Sequence, residues 1–306
     1  MQKSISTVAS AGGGVYPGAP RRGKWFKDKE LGYTVHLIRQ NPLMLAGLMI
    51  IILLVVVAAL APWLAPYRPT SVDLGGRLSP PSPGHLLGTD EMGRDIFSRI
   101  VYGSRISIQI AVTVVAIAGV IGSFLGAVSG YVGGRLDTVM MRVMDMILAF
   151  PSLVLAMVLA AVLGPSLTNA LLAVSFVQIP KYARLVRGQA LVLREKQFVK
   201  AARVIGAGDL WIITRHILPG SLSAVLVLAT MGMAEAILLA ASLSFIGLGA
   251  QPPEPEWGAM VAMGRDYLMD QWWLATFPGI AIFMVAVGFN ILGDGLRDIL
   301  DPRLRQ

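Results

Sequence analysis

The chain of 306 residues contains no cysteine and few charged side chains. The absence of cysteine excludes a disulfide scaffold, thiolate metal sites, iron–sulfur clusters and cysteine nucleophiles. Charged residues make up 14% of the chain, whereas soluble domains carry about 25%. Hydrophobic residues make up 55%, and several long stretches carry no charge at all. The chain is therefore too apolar for a single soluble core, and equally too apolar for a disordered protein.

Five runs with at most one charged residue are long enough to cross a bilayer, because a hydrocarbon core about 30 Å thick needs roughly 20 helical residues. The run over residues 146–180 is interrupted by Gly164, Pro165 and Ser166, so it predicts two helices joined by a turn. The sequence thus predicts an all-α integral membrane fold with six transmembrane helices. Their expected ranges are 43–65, 107–130, 139–163, 168–187, 221–245 and 273–293.

Lysine and arginine set the expected orientation, because basic loops stay on the cytoplasmic side. With both termini inside, twenty basic residues fall on the cytoplasmic side, Lys181 counted among them, and six fall in the outer connections. The net charge of +8 is then the signature of a cytoplasmic membrane face, and nucleic acid is not an expected partner. The prediction is a multi-pass membrane protein with cytoplasmic N and C termini.

The segments outside the spans differ in composition. Residues 1–24 contain many Gly, Ser and Ala residues and are predicted to be a disordered cytoplasmic tail. Residues 25–42 mix aromatic, aliphatic and basic side chains, which is typical of an amphipathic helix on the inner interface. The first transmembrane helix (43–65) is followed by an extracytoplasmic loop (66–104), a five-helix core (105–294) and a cytoplasmic C-terminal tail (295–306).

No constellation for catalysis or cofactor binding is present in the sequence. The stretch from Gly18 to Trp25 nearly matches a P-loop, but Trp25 stands where Ser or Thr must reach magnesium, and no strand precedes it. The histidines are scattered, with no carboxylate pattern around them that suggests a metal. Active transport through this chain would therefore depend on an ion gradient or on a separate subunit.

The connection between the fourth and fifth predicted helices holds a further helix. The residues LVLREKQFVKAARVI are helical in character, and Ala202 and Gly206 lie four residues apart, so one face is nearly bare backbone. Such a face, flanked by basic side chains, can press closely into a groove on another protein. Gly206 and Gly208 then end this helix, and Pro219 suits the first turn of the fifth span.

The stretch VKAARVIGAGDLWIITRHILPG resembles the EAA signature of permease subunits of binding-protein-dependent ABC importers. The positions that match in register are Ala201, Ala202, Gly206, Leu218 and Pro219. Lys200 stands where the family often has Glu, and His216 where it has Ile. The resemblance implies that a helix at about 194–208 is the coupling helix and that Lys200 and the five matching residues couple it to ATPase subunits.

Three further stretches, residues 85–107, 242–260 and 293–306, resemble the C-type subunit of the dipeptide, oligopeptide and nickel branch, closest to dipeptide-type subunits. This resemblance implies a type I importer permease fold in the bacterial inner membrane, with the first helix outside a five-helix permease core. It implies a second homologous permease, two cytoplasmic ATPase subunits that bind ATP and Mg, and an extracytoplasmic binding protein that delivers a peptide. The chain itself would be non-catalytic and hold no cofactor.

Three features inside the spans have two interpretations each. Asp145 and Glu235 lie in apolar segments, where an isolated charge costs about 2.5–3.5 kcal/mol on insertion scales. Either they line a polar translocation path and meet a substrate ammonium, or they are structural, with Asp145 near Arg142 and Glu235 bonded to a neighbouring helix. Glycines spaced four apart in the second span favour close helix packing, within the chain or against the partner permease. They are Gly122, Gly126 and Gly130.

Two outer segments are candidate docking sites for the binding protein. The first, GTDEMGRD, carries Asp90, Glu91, Arg94 and Asp95 among turn-forming glycines. The second, QPPEPEWG, carries Glu254, Glu256 and Trp257 in a proline-stiffened extended segment. Local ion pairs and loop structure are the alternative role for both segments.

Other functions are consistent with a polytopic helical chain. The same architecture could import glutathione, nickel or another small solute. An ion-coupled secondary transporter would show inverted repeats and discontinuous helices at mid-membrane, and no such repeat is evident. A channel or a membrane scaffold would leave the loop helix without a role.

Overall fold

The computed structural model of the chain describes residues 42–300. The predicted N-terminal tail, nearly all of the predicted interfacial helix and the last six residues lie outside the described residues. Within residues 42–300 the structure is helical, and the only β pairing is an isolated bridge between Thr89 and Asp95. The helices are α1 (Pro42–Ala59), α2 (Ala61–Leu64), α3 (Ile96–Val132), α4 (Gly134–Leu148), α5 (Ser152–Leu163), α6 (Leu167–Leu193), α7 (Gln197–Val204), α8 (Asp209–Ile212), α9 (Leu218–Phe245), α10 (Trp257–Gly264) and α11 (Trp273–Leu300).

The long helices are those expected to cross a bilayer. By length and composition, α1, α3, α11 and the continuous rod over Asp209–Phe245 qualify as spans, and the bent pair of α4 and α5 adds a fifth. Helix α6 has 27 residues but is less apolar, because it carries Lys181, Arg184 and Arg187. It packs along α3, so it is the sixth long element of the bundle. The prediction of an all-helical membrane fold is confirmed, and the count of six agrees with it.

The third predicted span, residues 139–163, is not one continuous helix. The structure breaks it into α4 and α5, which meet at an angle of 90° around Pro151. Proline has no N–H to donate and disfavours the helical conformation of the residue before it, so α4 ends just ahead of it. The two halves therefore run in different directions, which the uncharged run alone did not indicate.

Helices α3 and α6 form the tightest pair in the bundle and run parallel. A Cβ atom on Gly122 would lie 2.5 Å from the carbonyl oxygen of Ile179, and one on Gly130 would lie 2.6 Å from that of Arg187. A Cβ on Gly126 would overlap the carbonyl oxygen of Ala183. The glycine ladder thus lets two backbones touch, and its predicted role in close packing is confirmed within the chain itself.

The ends of α3 and α11 differ from the predicted boundaries. Helix α3 begins at Ile96, eleven residues before the predicted span, because the carboxylate of Asp95 caps it and accepts the backbone N–H of Ser98 at 2.7 Å. The last part of the predicted outer loop is therefore helical. Helix α11 continues to Leu300, so the first residues of the predicted C-terminal tail extend the last span.

The two ends of the bundle are named here by the short helices they carry. At the α7 end, α7 and α8 lie beside the C-terminal ends of α3 and α6, where Arg194 donates to the carbonyl of Gly130 at 3.0 Å. At the α10 end, the loop before α3 meets α10 and the start of α11, where Trp273 donates to the carbonyl of Thr89 at 3.4 Å. These ends hold the two groups of predicted surface sites, and the predicted pore residues lie between them.

Candidate functional site

Helix α7 occupies the position predicted for the coupling helix. Its buried face consists of Val199 and Ala202, which are 0% and 6% exposed. They pack in one cluster with residues of four other elements. Those neighbours are Ala127, Tyr131, Val186, Ala190, Ile212, Ile213 and Ile217. The expectation that Ala202 faces outward is therefore wrong, because this amphipathic helix buries its small and apolar face against its own chain.

The outward side of α7 and α8 carries an apolar patch instead. Val204 and Ile205 are 86% and 81% exposed, and Leu210 and Trp211 are 62% and 50% exposed. Phe198 is half-exposed beside them, with its ring 5.6 Å from that of His216. These five apolar residues, called the α7 patch below, were missed by the sequence reasoning. The signal was present as VI and LW on either side of a glycine break, between basic residues.

The predicted coupling residues surround the α7 patch or anchor it. Lys200, Ala201 and Gly206 are exposed. Gly206 has φ +83°, and its N–H bonds to the carbonyl of Arg203 at 3.1 Å, while the N–H of Ala207 bonds to that of Ala202 at 3.0 Å. This pattern is a Schellman motif, in which glycine takes the left-handed position that ends a helix. The glycine of the signature therefore turns the chain so that Val204 and Ile205 stand at the tip.

Leu218 and Pro219 begin α9, which leads away from the patch. Helix α8 passes through one π-helical segment, Ile213–Ile217, directly into α9, and Pro219 occupies the first turn of α9. Tyr131 of α3 ties the assembly down, since its hydroxyl donates to Asp209 at 2.9 Å. The ring of Tyr131 also lies 5.2 Å from the guanidinium of Arg203. The elements that carry the patch are thus packed against α3, α6 and the π-helical segment that leads into α9.

Glu235 lies in the middle of the bundle and has a charged partner. Lys181 of α6 donates to both of its carboxylate oxygens, at 2.5 and 2.6 Å. The two side chains are 36% and 32% exposed, so the pair borders an open space. The interpretation that Glu235 bonds to a neighbouring helix is supported, and Lys181 belongs to the bundle and not to the cytoplasmic connection with which it was counted.

Asp145 also pairs with α6, but at the surface of the bundle. Its carboxylate accepts from Arg184 at 2.5 Å, not from Arg142, and its side chain is 55% exposed. Next along α6, Arg187 makes a two-pronged bond to Asp137 at 2.6 and 2.7 Å. The basic residues of α6 are therefore each paired to another helix, and the structural interpretation of Asp145 is the one that the geometry supports.

The charged residues of the first outer segment are mostly buried. Asp90, Arg94 and Asp95 are 6%, 4% and 3% exposed. Arg94 bonds to Asp90 at 2.7 Å, and Arg99, which is fully buried, lies 3.6 Å from the same carboxylate. The expectation that all four predicted residues form a docking surface is wrong for these three, because Asp90 pairs with Arg94, while Asp95 caps α3 and lies 3.0 Å from a ring nitrogen of His85. Glu91 alone remains partly exposed.

The second outer segment is also largely structural. Glu256 is 2% exposed and caps α10, accepting from the backbone N–H groups of Gly258 and Ala259 at 2.9 and 2.8 Å. Burial raises the pKa of its carboxyl group, and the two backbone hydrogen bonds offset part of that shift. Trp257 is buried and donates to the carbonyl of Ile100 at 3.1 Å. Only Glu254 stays exposed as a candidate docking residue.

The fold and these sites together define a multi-pass α-helical membrane component with an exposed apolar patch at one end. Residues 95–306 match the family described as binding-protein-dependent transport system inner membrane component. Residues 33–81 match the N-terminal transmembrane domain of oligopeptide transport permease C. The chain belongs to the family of binding-protein-dependent transport system inner membrane components, and it is a membrane permease.

Several curated relatives are similar over most of the chain. The probable D,D-dipeptide transport system permease protein DdpC of Escherichia coli K12 is 54% identical over 269 residues, which is 88% of this chain and 90% of the relative. The dipeptide transport system permease protein DppC of Alkalihalophilus pseudofirmus is 45% identical over 268 residues, 88% of each chain. The glutathione transport system permease protein GsiD of Escherichia coli O6:K15:H31 is 48% identical over 268 residues, 87% of this chain and 88% of the relative.

Proposed function

We propose that the chain forms half of the pore of an ATP-driven importer of dipeptides or short peptides. The family match over residues 95–306 carries this proposal, together with the names of the relatives that handle dipeptides. A second, homologous permease completes the pore, and an extracytoplasmic binding protein delivers the peptide. Two ATPase subunits hydrolyse ATP with Mg on the cytoplasmic side. In this arrangement the α7 end and both termini are cytoplasmic, and the α10 end faces the binding protein.

The α7 patch is the proposed seat of the ATPase subunit. Exposed apolar patches on soluble parts of a protein mark interaction sites, and this one stands on a helix that is itself anchored in the core. When two ATPase subunits close on ATP, α7 would move as a rigid body because Val199 and Ala202 lock it to the bundle. Movement of packed helices as units would then alternate the access of the pore.

Vesicles that contain the whole complex test the proposed function. Uptake of labelled L-alanyl-L-alanine is expected to require the ATPase subunits and ATP on the side of the membrane where the α7 end lies. Uptake should persist when ionophores collapse all ion gradients. The reason is that the ATPase subunits, and not the permease, supply the energy in the proposed arrangement. Uptake driven by an ion gradient without ATP would favour a secondary transporter and would overturn the proposal.

Glutathione is the second candidate substrate, because one relative at 48% identity carries that name. Glutathione is itself a short peptide with free charged ends, so the same pore chemistry serves both. Competition in the vesicle assay separates the two. The system would be assigned to glutathione if excess unlabelled glutathione abolishes alanyl-alanine uptake while excess alanyl-alanine leaves glutathione uptake unchanged.

The α7 patch gives a second prediction, for Ile205→Asp. A carboxylate in an apolar interface is unpaired and desolvated, so we expect ATPase subunits recovered with the purified permease to fall by about tenfold or more. Ile205 is 81% exposed and does not belong to the buried cluster beneath α7, so the variant should still insert and fold. Recovery of the ATPase subunits on affinity-purified permease measures the effect.

Met269→Asp is the matched control, since Met269 is 97% exposed and lies at the opposite, α10 end. It receives the same charge but should keep the full amount of ATPase. Equal recovery for both variants would show that the α7 patch does not seat the ATPase.

A further inference from the structure

A cavity of about 270 Å³ with both apolar and polar lining lies in the middle of the bundle, between α6, α9 and α11. Its walls include the ion pair of Lys181 and Glu235. The remaining polar lining comes from Gln178, Tyr182 and Asn290, and Gly232 contributes bare backbone. The volume is near the lower end of the range for small-molecule sites, about 300–1,000 Å³. The cavity therefore has room for a small solute and no room for a folded chain.

The ion pair of Lys181 and Glu235 lies far from both ends of the bundle. Lys181 and Glu235 lie roughly 15–25 Å along the helix axis from either end of α6 and α9, at 1.5 Å per residue. Charged groups at this depth are costly, and in membrane proteins they mark paths for substrates or ions. A pair that served packing alone would be expected to be closed off, yet about a third of each side chain is exposed and both residues line the cavity.

The second, independent observation is a pair of polar atoms without partners in the same wall. The side-chain nitrogen of Gln178 and the hydroxyl of Tyr182 have no hydrogen-bond partner, and both residues are 1% exposed. Buried polar groups in native proteins nearly always have a partner, so two neighbouring exceptions call for an explanation. Gly232 makes room for one of them, since a Cβ there would lie 2.7 Å from the hydroxyl of Tyr182. The wall is built around unsatisfied hydrogen-bonding groups.

We propose that this cavity is the transit site for the two charged ends of a peptide. Glu235 takes the α-ammonium group, Lys181 takes the α-carboxylate, and Gln178 and Tyr182 bond to the backbone between them. The ion pair opens as the peptide enters and closes again when it leaves. This inference rests on the proposed function and adds the recognition chemistry of the pore.

The charge balance favours a zwitterion over other solutes. The empty site is neutral because its two charges cancel, and a zwitterionic peptide keeps it neutral while giving each charge a new partner. A cation or an anion would leave Lys181 or Glu235 without its counter-charge in a low-dielectric region, which is strongly unfavourable. Because the two charges neutralise each other, the empty site does not carry the free-energy cost of an isolated charge. The pair can still distinguish a zwitterion from a cation or an anion.

The test uses the complete complex in vesicles with labelled L-alanyl-L-alanine, and compares three variants with the wild type. Lys181→Gln and Glu235→Gln each remove one charge and keep the side-chain length or shape. The double variant Lys181→Glu/Glu235→Lys keeps the ion pair but exchanges its ends. Basal ATP hydrolysis and gel filtration report whether each variant is assembled.

Each side chain is about a third exposed, so we expect both single variants to be recovered in the complex, while peptide uptake falls by about tenfold or more. The exchanged pair should not restore uptake, because it presents each end of the peptide with the wrong charge. Asp145→Asn is the matched control: its partner Arg184 is on α6, as Lys181 is, but this pair is more than half-exposed and outside the cavity. Uptake by this control should stay within about twofold of the wild type.

Three results would overturn the inference: single variants that import within about twofold of the wild type, an exchanged pair that restores uptake lost in the singles, or loss of assembly and uptake together in all three. The second and third would make the pair structural. If the wild-type complex imports no alanyl-alanine with ATP, the proposed function itself fails, whatever the variants do.

Discussion

Gly126→Leu is expected to abolish recovery of folded protein. A Cβ at this position would overlap the carbonyl oxygen of Ala183 and lie 2.9 Å from the backbone nitrogen of Arg187. Both neighbours are backbone atoms of α6, so no side chain can rotate away, and the two helices must separate. Overpacking a well-packed site costs about 1–3 kcal/mol even where side chains can adjust, so the cost here should exceed that range. The measure is monodisperse protein in detergent by gel filtration of a fluorescent fusion.

Gly188→Leu is the matched control for this prediction. Gly188 lies on α6 itself, and a Cβ there meets no atom within 4 Å. The change in helix propensity and in side-chain volume is the same for both variants, so only the contact between α3 and α6 differs. If Gly188→Leu is lost to the same extent as Gly126→Leu, general intolerance of bulk explains the result and close helix contact does not.

Part of this helix packing can be predicted from the sequence alone. Four-residue spacing of Gly122, Gly126 and Gly130 is a local pattern, and it indicates correctly that a helix approaches that face. The uncharged runs similarly predict where membrane helices lie. Backbone groups that lack a hydrogen-bond partner are costly in lipid, so a segment that crosses the bilayer must pair them, as a helix does. The helix that fills the groove is α6, more than fifty residues away, and the pattern does not contain that information.

The ion pairs mark where sequence reasoning ends. Glu235 and Lys181 are 54 residues apart and Asp145 and Arg184 are 39 apart, and both pairings depend on how α6 lies against its neighbours. Without that geometry Asp145 is assigned to the nearest basic residue, Arg142, which is only one turn away. Similarly, the small face of α7 can be found from spacing, but whether it meets the chain's own core or another protein depends on packing.

The docking prediction for the outer segment GTDEMGRD is wrong for a related reason. A run of four charges within eight residues is usually a solvated surface, so docking was a natural hypothesis. In the structure the turn at Gly93, with φ +73°, brings Arg94 back onto Asp90, and the start of α3 adds Arg99. Opposite charges that pair can be buried together, and only the three-dimensional turn shows that Asp90 and Arg94 do so.

This buried cluster carries the second of the largest predicted effects, for Asp90→Ala. The carboxylate accepts the backbone N–H groups of Met92 and Arg94, both at 2.9 Å, as well as the guanidinium of Arg94. Its loss leaves Arg94 and Arg99, 4% and 0% exposed, without a counter-charge. Breaking a buried ion pair from one side costs about 3–5 kcal/mol. Thermal unfolding of the purified protein in detergent should therefore occur at a markedly lower temperature.

The consequence should reach beyond the loop, because Arg99 holds three segments together. Its guanidinium donates to the carbonyl oxygens of Pro69 and Pro253 at 3.0 and 3.3 Å, and of Glu254 at 3.4 Å. Asp266→Ala is the control: its pair with Arg265 is exposed, and surface pairs contribute about 0–1 kcal/mol. The cluster would be dispensable if both variants unfolded at the same temperature. A selective loss for Asp90→Ala would show that these charges brace the α10 end, the face that receives the binding protein in the proposed function, by holding its loops in place.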